Sequence, residues 1–118
     1  MNLKDELGKL IFYFSRGRRT YKAYLENGQT YLYAQILRQN NASIIRVLAR
    51  IYAESGDELQ SDILDLTHHI DVWSSHWDSL YKEITPQSAD KFVFQNTVNY
   101  PKVAEENLIR LYKEIKYD

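Results

Sequence analysis

The sequence predicts an all-α protein: residues 1–118 as a single helical domain, a four-helix up-and-down bundle with an additional short helix before the last helix. Three observations predict it. Only 4 glycines and 2 prolines punctuate the chain, fewer breakers than a β-rich fold of this size uses in its turns. Apolar residues recur at helical spacings of three and four along most of the length. The clearest run is Leu59, Ile63, Leu66, Ile70, Trp73, Trp77, Leu80 and Ile84, which keeps that alternation unbroken across more than three heptads, the pattern of an amphipathic helix in a bundle.

Each element follows from its local residues. Asn2 can cap a first helix, with Asp5 near its positive end. Leu3, Leu7, Leu10, Phe14, Tyr21 and Leu25 form its stripe, Gly17 offers a place to kink, and Asn27-Gly28 ends it because both residues tolerate positive φ. A second helix opens near Thr30 and carries Ala34, Leu37, Ile44, Leu48 and Ile51 on one face. Asn41 occupies that stripe, so a continuous helix must shelter an asparagine, and a break at residues 40–43 is the competing reading. Ser55-Gly56 closes it, and Ser55 with Glu58 is spaced as a capping box for the third helix. Thr85-Pro86 stops the third helix and suits the start of another, so Lys91-Phe92-Val93-Phe94 is read as a short helix rather than an extended run. Pro101 opens the last helix, with Val103, Ala104, Leu108, Leu111 and Ile115 on its apolar side.

Composition excludes several classes. Apolar residues make up 44% and charged residues 26%, ordinary for a soluble globular domain. No apolar run approaches the roughly 18 residues of a membrane span, so no membrane partner is expected. The opening Met1–Glu6 lacks the apolar stretch of a signal peptide, which with the absence of cysteine leads to an expected cytoplasmic location. Without cysteine there is no disulfide, no thiolate nucleophile and no Cys-based metal site. The 10 tyrosines among 16 aromatic residues fit core edges, or a binding face or oligomer interface such as that of a homodimer.

The net charge of −1 hides a polar molecule. Residues 1–50 hold nine basic and three acidic groups, whereas residues 51–118 hold six basic and thirteen acidic ones. Attraction between neighbouring helices accounts for part of this division. The remainder points to a binding surface on the basic half, where residues 12–24 interleave Arg16, Arg18, Arg19 and Lys22 with Phe12, Tyr13, Phe14, Tyr21 and Tyr24, and Arg46 and Arg50 add a second pair. Arginine forks suit carboxylates and phosphates, and aromatic rings can stack on bases. A dedicated nucleic-acid domain is usually basic overall, so a protein partner or self-association is preferred to nucleic acid or another acidic ligand.

All three histidines and both tryptophans fall in residues 65–78. Asp65, His69 and His76 are the weak candidates for a metal or cofactor site, or for an enzyme built around one. A di-metal bundle needs a Glu-x-x-His pair from each of two helices and carboxylates from two others; one Asp-x-x-His occurs, so no metal and no cofactor is expected. No nucleophile elbow or glycine-rich phosphate loop is present, and no catalytic residue is assigned. Trp73 and Trp77, one turn apart on the stripe, are anchors of the core or of an interface. The sequence is therefore read as a small non-enzymatic helical protein that works by protein–protein interaction, as a homo-oligomer or as a subunit of a larger assembly.

Overall fold

The structure is a computed structural model that describes residues 2–115. Four α-helices follow one another: α1 Leu3–Glu26, α2 Tyr31–Ile51, α3 Asp57–Ile84 and α4 Lys102–Glu114, with a 3-10 turn at Tyr52–Glu54. Among the described residues there is no β-strand, only an isolated bridge between Thr30 and Lys91. The protein is all-helical with four α-helices, as the periodicity predicts. No described helix is long and apolar enough to cross a membrane.

Helix ends follow the local chemistry, with two exceptions. Asn2 accepts from the Asp5 amide at 3.2 Å, and α1 stops at Glu26, where positive φ falls on Gly28 and Gln29 rather than on Asn27. α2 runs through residues 40–43 without a break. The capping box does not form: Gly56 is the N-cap of α3, and Ser55 turns back to donate to Ile51 O at 2.9 Å.

The expected short helix before α4 is also not there, since residues 85–101 carry no helix. Thr85 adopts a left-handed φ of 43° before Pro86, and the chain leaves as an extended strap. Its carbonyls do work that a helix would bury in its own ladder. Asp90 O accepts from Tyr31 N at 2.8 Å and Ser88 O from Leu32 N at 3.0 Å. These are free amides of the first turn of α2, whose Thr30 side chain makes no capping bond. Phe92 N donates to Gln29 O at 2.9 Å in the same ladder.

α1 packs on α2 and α4, and α3 on α2 and α4. Glu6 meets Arg50 while Tyr13 meets Asn40, and Lys4 meets Ile115 while Arg18 meets Glu105. As one number rises the other falls, so α1 is antiparallel to both neighbours. The molecule is a rod of 49 × 22 × 22 Å with two apolar clusters along its length. One joins Leu7, Leu10 and Phe14 to Ile44, Val47, Leu48, Ile51, Ile63, Leu66, Ile70, Ala104 and Leu108. The other joins Tyr24, Tyr31, Ala34 and Trp77 to Phe92 of the strap.

The division has a length cause. α1 has 24 residues and α4 only 13, about 36 Å against about 20 Å of axis. α4 covers the first cluster and the strap covers the second. Tyr21 and Leu25, expected on the apolar stripe of α1, are each 51% exposed because α4 does not reach them. Val103, expected on the apolar side of α4, lies in solvent at 66% exposure.

Candidate interaction surface

The outward face of α1 is built by spacing alone. Phe12, Ser15, Arg16, Arg19 and Thr20 repeat at three and four residues, opposite the stripe of Leu7, Leu10 and Phe14, and line a shallow depression of about 410 Å³. Phe12 is 59% exposed, a large ring left in water beside two cations. Arg16 and Arg19 make no hydrogen bond or ion pair among the described residues. Their charge is therefore uncompensated by the fold.

The other basic and aromatic candidates divide. Tyr21 is exposed and stacks on Tyr24 with ring centroids 5.9 Å apart. Lys22 reaches Glu26 only at 3.9 Å, with both side chains largely in water. Arg46 is exposed and donates to Ser43 Oγ at 2.9 Å. Arg18, by contrast, is spent on the fold: its Nη1 donates at 2.7 Å to Glu105 Oε2, and the Tyr100 hydroxyl donates to Glu105 Oε1 at 2.6 Å. Burial, reinforced by that carboxylate, pushes the Tyr100 phenol far up. Arg50 Nε donates to Glu6 Oε2 at 3.0 Å, and this bond is the main reason the buried Glu6 carboxyl lies below its usual range. Tyr24 is not on the surface at all. It is buried, its hydroxyl donates to Phe92 O, and burial raises its phenol.

Trp77 lies in the second cluster. Its indole N–H donates to Ala34 O at 3.1 Å, the Arg38 guanidinium sits 5.0 Å from the ring, and Tyr81 stacks on it at 5.6 Å. Arg38 also holds Asp78 at 2.8 Å. Trp73 is half-buried against Phe94.

His69 and His76 fasten the strap. His69 Nδ1–H donates to Val98 O at 3.0 Å, and Asn96 Nδ2 donates to His69 O at 3.3 Å. His76 Nε2 lies 3.3 Å from Thr97 Oγ1. Burial lowers the His69 imidazole below its ordinary value. Asp65 is exposed, and among the described residues no group of three or more His, Asp or Glu is placed to hold a metal ion.

One feature that the apolar pattern points to only indirectly is the pairing of Gly17 with Asn40. Asn40, not the stripe residue Asn41, is the buried asparagine at 1% exposure, and it donates to Tyr13 O at 2.8 Å. Its Oδ1 has no partner among the described residues. The available signal is a glycine inside a helix, which marks a close approach as readily as a kink.

No protein-family model matches the chain, and no curated protein and no solved structure matches it either.

Proposed function

We propose that this protein works by binding another protein through the outward face of α1, as a homo-oligomer or as a subunit of a larger assembly in the cytoplasm. The observation that carries the reading is the exposed Phe12 flanked by Arg16 and Arg19, two cations that the fold leaves without a partner. Interface centres favour such aromatic and arginine anchors. An arginine fork lacking an internal carboxylate is available to one from outside. Tyr21, Lys22 and Arg46 are exposed in the same basic half of the chain but lie outside the depression, Tyr21 on the stripe side of α1, while Arg18, Arg50 and Tyr24 support the scaffold. We read the four helices as an up-and-down bundle, which would present this face on a rigid element.

The test compares wild-type protein with Arg16→Ala/Arg19→Ala as immobilised baits in an extract of the native cell, with captured proteins identified by mass spectrometry. The expected result is a set of proteins held by the wild type and lost from the double variant. Identical sets on both baits, or none on either, would contradict the reading.

A further inference from the structure

We infer that the partner taken by the outward face of α1 is a second copy of this chain, docked through the outward face of its α3; the inference rests on the binding role proposed above. The two faces are complementary in charge within one molecule. α1 and α2 together hold nine basic and three acidic residues, whereas α3 alone holds seven acidic residues and one basic one. Most of the acids of α3 are not consumed by the fold. Asp78 pairs with Arg38 and Asp62 accepts from Asn107, but Asp57, Asp65 and Asp71 are exposed and make no ion pair among the described residues. Amid them Leu64 is 53% exposed. One face is a phenylalanine between arginines; the other is a leucine between aspartates.

Their placement fixes the kind of assembly. α1 and α3 each border α2 and α4, so they sit diagonally across the rod and their outward faces point away from each other. A two-fold dimer joins the same patch on both copies and cannot pair these two faces. Head-to-tail contact can, and it leaves a free basic face on one end and a free acidic face on the other. Copies then add side by side. The whole flank of the rod, 49 × 22 Å, spans roughly 1,000 Å², so a contact of the ~800 Å² per partner of a standard interface draws in the helices beside α1 and α3 as well. Because the contact is charged and peripheral, it is weakened by salt as the screening length falls from about 8 Å at physiological strength to about 3 Å at 1 M.

Sedimentation velocity over a concentration series tests this, at about 0.05 M and about 1 M sodium chloride. The wild type is expected to exceed its 14.0 kDa monomer mass progressively at low salt and to return to monomer at high salt. Arg16→Glu/Arg19→Glu and Asp65→Arg/Asp71→Arg, each checked for native helicity by circular dichroism, are expected to stay monomeric alone, with association weakened about tenfold or more by the like charges. Mixed in equal amounts, they should associate again. A wild type that remains monomeric throughout, or association indifferent to both reversals, would overturn the inference. If the wild type is monomeric yet still captures proteins in an Arg16- and Arg19-dependent way, the second copy is the wrong occupant and the binding face stands; if it captures nothing, both fail.

Discussion

Gly17 of α1 lies against Asn40 of α2, so closely that a Cβ on Gly17 would stand 2.9 Å from Asn40 Nδ2. That nitrogen is held by Tyr13 O and cannot retreat without losing its bond. Alanine is the better helix former by about 1 kcal/mol, yet Gly17→Ala is expected to destabilise, because overfilling a packed contact costs about 1–3 kcal/mol. Urea unfolding checks the sign. In Gly17→Ala/Asn40→Ala the clash is gone, so the double variant is expected to lose less than the two single losses combined.

Phe92 lies in a segment without helix or strand and is nevertheless 0% exposed. It touches Tyr31 and Trp77 with ring centroids 5.3 and 5.0 Å away. Phe92→Ala is therefore expected to cost what a helical core residue costs, about 3–5 kcal/mol, in guanidinium unfolding. Loosening the strap also frees the α2 amides that Asp90 and Ser88 satisfy. Faster hydrogen exchange at Tyr31 and Leu32 than elsewhere in α2 is the expected companion result.

Two groups give the stability a readable pH dependence. Burial holds the folded His69 below 6.5, so below that pH the unfolded chain binds the proton more readily, and stability falls as pH drops from 6.5 through the folded value. Arg50 holds the folded Glu6 below 4.5, so its contribution is full above 4.5 and is lost as pH falls through its own folded value. Thermal midpoints across pH check both. His69→Asn is expected to flatten the upper window alone, and Glu6→Gln the lower one alone.

The helices were legible because their signals are local. The alternation from Leu59 to Ile84 specifies α3 whatever it packs against, and Thr85-Pro86 ends it. Residues 85–101 were not legible. Lys91-Phe92-Val93-Phe94 reads as a short helix, yet the same residues allow an extended run, and the choice falls to partners far along the chain: the free amides of Tyr31 and Leu32, the Tyr24 hydroxyl, and His69. For the same reason the basic segment could be seen in the sequence but not divided. Whether an arginine is free depends on what faces it from the neighbouring helices. Glu105 sits 87 positions from Arg18, and no spacing rule reaches that far. Tyr24 went inward because the strap brought it the Phe92 carbonyl.

A binding face on α1 requires that Arg16 and Arg19 be surplus to the fold. The thermal midpoint of Arg16→Ala/Arg19→Ala measures this directly, against Arg38→Ala as the contrasting case in which the guanidinium lies over Trp77 and holds Asp78. Surface changes of this kind stay within about 0.5 kcal/mol each, so the double variant is expected to melt within a few degrees of the wild type, while Arg38→Ala melts lower. A double variant that melts as low as Arg38→Ala, or does not fold, would make those two arginines part of the scaffold and contradict a binding role for them.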